Sequence, residues 1–204
     1  MKIIITENQY NRILREEEEQ KVLHIPSLKF FNDDWYELQK FLESKGNPPY
    51  SIGGSLDLRH TEIESLGNLQ TVGGYLDLER TPIESLGNLT SVGGNLFLRG
   101  TPIKSLGNLT SLGGSLDLEN SSIESLGNLT SVGGYLDLRN TPIKSLGNLT
   151  SVGGNLFLVG TPIESLGNLT LVGGNLFLVG TPLSKMYTKK QIRKMVNVDG
   201  EIYF

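Results

Sequence analysis

From Ser51 onward the chain repeats itself every 20 residues. One unit reads Thr71-Val-Gly-Gly-Tyr-Leu-Asp-Leu-Glu-Arg-Thr-Pro-Ile-Glu-Ser-Leu-Gly-Asn-Leu-Thr90. Units begin at residues 51, 71, 91, 111, 131, 151 and 171, and the seventh is complete only to Leu183. A fixed period of this length restricts the fold to a solenoid, in which each coil packs on its neighbours alone. The chain divides accordingly into an N-terminal cap (1–50), seven repeats (51–183) and a C-terminal cap (184–204).

The apolar spacing inside a unit says how a coil is built. Leu76 and Leu78 are two apart and point to one side of a strand. Ile83, Leu86, Leu89 and Val92 follow at steps of three, which suits a 3₁₀ or polyproline-like arc with every third residue inward. The expected architecture is a repeat solenoid, with short parallel β-strands stacked into one sheet, an irregular return arc, and helical caps at both ends. Gly73-Gly74 and their equivalents serve unusual backbone angles or close approaches. Pro82 sits just past the strand, where a missing N–H costs least. Thr81 satisfies backbone groups at the corner, and Asn88 and its equivalents are expected to form an amide ladder in the return arc. A feature present in every coil marks the scaffold rather than a single site.

The segment Leu76-Asp-Leu-Glu-Arg-Thr-Pro-Ile83 resembles the core of a leucine-rich repeat, L-x-L-x-x-N-x-L. The resemblance covers residues 51–183, with Thr or Ser in place of the usual Asn and the leading leucine displaced to Val72. Leu-Thr-Ser-Val-Gly-Gly-Asn-Leu-Phe-Leu is similar to the related L-domain repeats of receptors and cell-wall proteins. Such repeats generally serve as binding scaffolds, so the resemblance implies partner recognition. The opening Lys-Ile-Ile-Ile-Thr-Glu-Asn-Gln-Tyr resembles the starts of small uncharacterised proteins of tailed phages.

A longer period lies over the short one. Residues 51–110 match residues 111–170 at 48 of 60 positions, which points to duplication of a three-coil block and a further copy of its last coil.

The flanks read as covers for the ends of the stack. Asp33 to Lys45 reads as an amphipathic helix with an acidic first turn, stopped by Gly46 and Pro48-Pro49, with Trp35, Leu38, Phe41 and Leu42 on one face. A further helix is expected from Glu7 to Gln20. After the repeats, Thr188 caps a helix running to Val196, and Val198 to Phe204 reads as a hairpin or closing strand.

Charge and composition exclude several functions. The repeats carry 11 acidic and 6 basic side chains, whereas 184–204 carries 2 and 5. An acidic body lacks the positive surface that a nucleic-acid grip needs and sooner attracts a basic partner. The absence of cysteine excludes disulfides, thiolate metal sites and thiol nucleophiles. No apolar run approaches a membrane span or a signal-peptide core. The expectation is therefore a soluble protein of the cytoplasm, or of a virion if phage-encoded, with no cofactor, no metal and no contact with nucleic acid or membrane. His24 and His60 lie in different regions, and no Ser-His-Asp set, phosphate loop or metal spacing accompanies them, so no catalytic residue is assigned.

Function is then expected in the columns that vary while the core does not. Outward positions on the strands read Ser55-Asp57-Arg59, Tyr75-Asp77-Glu79, Asn95-Phe97-Arg99, Ser115-Asp117-Glu119, Tyr135-Asp137-Arg139, Asn155-Phe157-Val159 and Asn175-Phe177-Val179. Asp57 beside Asp77 and Asp117 beside Asp137, with Tyr75 and Tyr135 next to them, could take Lys or Arg from a partner or loosely hold a cation, or stand as solvent-screened charge. Phe157, Val159, Phe177 and Val179 form an apolar patch, with Phe97 isolated upstream; either a partner or a second copy uses it, or the C-terminal segment covers it. The column Arg59, Glu79, Arg99, Glu119, Arg139 alternates in sign and is expected to fix strand register, as does Glu84, Lys104, Glu124, Lys144, Glu164. The leading reading is a non-enzymatic protein-interaction module, and the alternative is a structural or self-assembling component. An ice-binding array would need one identical flat column of Thr, which the outward strand columns lack.

Overall fold

A computed structural model of the chain describes residues 22–204, so the helix expected at 7–20 lies outside the described residues. The chain is a parallel β-solenoid. Its long ladder has eight two-residue strands, at Leu56–Asp57, Leu76–Asp77, Leu96–Phe97, Leu116–Asp117, Leu136–Asp137, Leu156–Phe157, Leu176–Phe177 and Ile202–Tyr203. Equivalent residues stand in register from coil to coil, Leu76 against Leu96 and Asp77 against Phe97. The 20-residue period makes this register self-enforcing, because a slip by one would turn every leucine outward. Leu76, Leu78, Ile83 and Leu89 are each 0% exposed, and their equivalents fill one continuous interior.

The strands are short because a left-handed residue ends each of the first seven. His60, Arg80, Asn120 and Asn140 have φ of 55–58°, and Gly100, Gly160 and Gly180 occupy the same corner. The next residue closes it: Thr81, Thr101, Thr141, Thr161 and Thr181 donate their hydroxyls to the carbonyl three residues back at 2.7–2.8 Å. Ser121 stands in this column, and its buried Oγ has no partner among the described residues.

A second ladder runs along the segments before the paired glycines, where the three-residue apolar spacing predicts only a return arc. Thr71–Val72 pairs with Ser91–Val92, and the pattern continues in sheets of five and four strands, divided between Ser111–Leu112 and Ser131–Val132. The glycines allow it by close approach, not by unusual angles. A Cβ on Gly73 would stand 2.3 Å from the carbonyl oxygen of Gly53. With no side chain there, the Gly73 and Gly74 N–H groups donate to Ile52 and Gly54 at 2.8 and 3.0 Å.

The asparagine column of the return arc forms an amide pair only once among the described residues, Asn88 Nδ2 donating to Asn68 Oδ1 at 3.1 Å. Asn108 and Asn148 instead donate to the carbonyls of Gly87 and Gly127 in the preceding coil. A second amide pair lies at the strand corner, from Asn140 to Asn120.

The N-terminal cap extends the second ladder, through Leu23–Ile25 on Tyr50–Ile52, and the C-terminal cap extends both. Helix α1 (Trp35–Ser44) starts at Asp34, whose carboxylate accepts from the N–H of Tyr36 and Glu37, and it buries Trp35, Leu38 and Leu42. At the other end α2 (Pro182–Met186) and α3 (Lys189–Met195, capped by Thr188) replace the return arc. The final segment is no hairpin. Asn197–Val198 and Ile202–Tyr203 each add a parallel strand, one to each ladder. Arg193 holds them by donating to the carbonyls of Val198 and Gly200 at 2.6 and 2.7 Å. Among the described residues no helix is long and apolar enough to cross a membrane.

Candidate binding face

Each coil presents three outward positions on the long ladder, and they divide the labour. At the first, Ser55 Oγ, Asn95 Oδ1, Ser115 Oγ, Asn155 Oδ1 and Asn175 Oδ1 each accept the N–H of the equivalent residue in the next coil at 2.8–3.1 Å. These small polar side chains therefore belong to the scaffold. Tyr75 and Tyr135 interrupt the series and put rings on the surface instead; Tyr75 is 40% exposed.

At the second position Asp77, Asp117 and Asp137 accept the N–H two residues on, at 3.0 Å each, which folds the carboxylates back toward the sheet. Asp77 and Asp137 are 7% and 4% exposed, whereas Asp57 at the edge is open. Asp57 stands in register with Asp77, and Asp117 with Asp137. Burial, aided by the Asp57 charge, pushes the Asp77 carboxyl above the usual range against its hydrogen bond from Glu79 and the pull of Arg59. Burial does the same to Asp117, aided by Asp137 and opposed by the Glu119 N–H and Arg99.

The third position breaks the even alternation expected of it. Glu119 is 8% exposed and receives both Arg99, at 2.5 Å, and Arg139, at 3.1 Å. Arg139 also grips Asp137 through Nε and Nη2 and lies over the Phe157 ring, 5.5 Å from its centroid. Arg59 turns to Asp57 at 2.9 Å, while Glu79 meets only Arg80, at 3.7 Å, among the described residues. The return-arc charges from Glu84 to Glu164 are exposed and form no ion pair within 4 Å among the described residues.

The aromatic end is a stack. Phe157 and Phe177 are parallel at 4.7 Å, Tyr203 continues the stack at 4.7 Å, and Tyr135 meets Phe157 edge-on at 6.4 Å. The rings shield one another, so Phe157, Phe177 and Val159 are half-buried, and Val179, 44% exposed, is the most open of the expected patch. The C-terminal strand lengthens this surface rather than covering it. Phe97 stands apart, between Asp77 and Asp117 in register.

These side chains enclose two shallow clefts that repeat after three coils. The first, about 470 Å³, is lined by Asp57, Arg59, Tyr75, Asp77, Glu79, Asn95, Phe97 and Asp117. The second, about 390 Å³, is lined by Arg99, Asp117, Glu119, Tyr135, Asp137, Arg139, Asn155 and Phe157. Asp117, Glu119 and Asp137 bring carboxylate oxygens within 4.8 Å of one another, but guanidinium groups of this chain already sit on Glu119 and Asp137. His24 Nδ1 meets Ser51 Oγ at 3.0 Å, and His60 lies on an exposed corner. In the basic C-terminal helix Arg193 is spent on the last strands, and Lys189 lies over Phe204. The chain matches no protein-family model, no curated protein and no solved structure.

Proposed function

We propose that this solenoid is a non-enzymatic protein-interaction module that binds its partner through the outer face of the long ladder. One observation carries the reading. Tyr, Asp, Phe, Arg and Glu alternate there from coil to coil, whereas the outward columns of the second ladder repeat Thr and Ser almost unchanged. The hydrogen-bonding needs of the scaffold account for the Ser and Asn in the face, but not for Tyr75, Phe97 or the stacked rings. Exposed side chains that the fold does not require are where recognition is carried. The resemblance to leucine-rich repeats supports the same use, and the acidic first cleft favours a basic partner.

The test is capture of partners from extract of the producing cells by wild type and by Tyr75→Ala and Val179→Asp, both at exposed positions. Loss of a specific partner in either variant supports the face and says which half is used. Unchanged capture by both overturns the reading.

A structural role is the second reading. It rests on the C-terminal end, where Asn197–Val198 and Ile202–Tyr203 end both ladders as edge strands beside exposed Tyr203 and Phe204. Such edges template pairing with another chain. Concentration-dependent association in sedimentation velocity, lost on Tyr203→Lys, would favour a self-assembling component.

A further inference from the structure

The two clefts are copies that differ in one decisive respect. In the second, Arg139 fills the seat between Asp137 and Phe157, with Nε 2.9 Å from both carboxylate oxygens and the guanidinium over the ring. Glu119 closes the seat from the other side. Three coils earlier, Asp77 and Phe97 stand where Asp137 and Phe157 stand, but Glu79 replaces Arg139 and Arg59 replaces Glu119. No cation lies over Phe97 among the described residues. Asp77 is 7% exposed, and no hydrogen bond from the described residues reaches its Oδ2; the Arg59 guanidinium remains 3.9 Å away. The first cleft carries four carboxylates against one arginine, the second three against two.

We infer that the first cleft is a seat for an arginine side chain of a protein partner, whose guanidinium lies over Phe97 and pairs with Asp77 and Glu79 as Arg139 does with Phe157 and Asp137. The second cleft shows the bound state built into the chain itself. A planar guanidinium suits this geometry because it forms two parallel hydrogen bonds to a carboxylate while stacking on a ring, which an ammonium does not do. The exposed Tyr75 ring forms one wall, and the left-over negative charge draws the cation in. The inference rests on the binding face proposed above and names the chemistry it takes.

The probe is an acetyl-Gly-Arg-Gly-amide tripeptide, titrated into the ¹⁵N-labelled full chain and followed by amide shifts, with the lysine counterpart in parallel. Saturable shifts are expected at residues 75–80 and 97, with the lysine peptide about tenfold weaker. The control is the Arg59→Glu/Glu79→Arg double variant, which puts a glutamate and an arginine where the second cleft has Glu119 and Arg139, leaves the net charge unchanged and uses residues the fold already accepts three coils on. It should keep the dispersed spectrum and lose the response. Three results overturn the arginine seat: no saturable shift there, equal shifts with lysine at both clefts, or a response that survives the charge swap. If the peptide fails while Tyr75→Ala still abolishes partner capture, the seat falls and the binding face stands.

Discussion

The two ladders of this solenoid are built from the same coils and treat their outer surfaces differently. On the second ladder, unlike the strand columns read from the sequence, the column Thr90, Thr110, Thr130, Thr150, Thr170 is exposed and uniform, but four of these hydroxyls are already donated to the preceding coil at 2.8–3.2 Å. On the long ladder the outward columns change character along the stack, from open carboxylates at Asp57 to stacked rings at Tyr203. The uniform column is explained by backbone hydrogen bonds that recur with the coil. The varied columns leave a remainder after the same accounting, and that remainder is what a partner would read.

The sharpest way to break the scaffold half of this comparison is to crowd the glycine corner between the ladders. A Cβ on Gly113 would stand 2.2 Å from the Gly93 carbonyl oxygen, whereas one on Gly107, at φ +56°, meets nothing within 4 Å. Gly113→Ala should cost about 3 kcal/mol and Gly107→Ala only about 1 kcal/mol, read as shifts in denaturation midpoint. The corner threonines come next. Thr141→Val removes a buried hydroxyl donor to Leu138 and should cost about 2 kcal/mol. Ser121→Thr restores the missing column member, whose hydroxyl is expected to donate to Leu118 as its neighbours do, and should stabilise by about 1 kcal/mol.

The charged half gives a smaller, pH-dependent effect. The folded pKa of Asp117 lies above its unfolded value because burial disfavours the charged form. The charged group therefore subtracts stability above the folded pKa, and the penalty fades as pH falls through that pKa and vanishes below the unfolded value of about 3.9. Asp117→Asn should raise the midpoint at pH 7, with the two proteins converging below that value. The smallest effect sharpens the contrast: Thr130→Ala, on the uniform column, should change stability by about 0.5 kcal/mol or less and leave partner capture intact.

Much of this was legible in the sequence. The period set the register, the leucine spacing set the interior, and α1 and the Thr188-capped helix lie where apolar periodicity and end signals put them. The second ladder was not legible, because Thr71-Val72 is too short to show alternation and the glycines beside it read as a corner alone. The last coil was hidden by its spacing, 26 residues from Asn175 to Glu201 rather than 20. The left-handed corner was masked where His60 and Arg80 occupy it. In the candidate face, the alternating signs of the Arg59-to-Arg139 column look uniform in one dimension. Only the folded chain shows Glu119 receiving two arginines while Glu79 keeps to its neighbour Arg80.

The most direct test of the central claim places a photo-crosslinking residue at Tyr75 on the long ladder and, in a separate protein, at Thr130 on the second. Both are exposed to extract of the producing cells under identical conditions. The account predicts one discrete adduct from position 75 that wild-type protein competes away, and none from position 130. A competable adduct from position 130, with none from position 75, would contradict it.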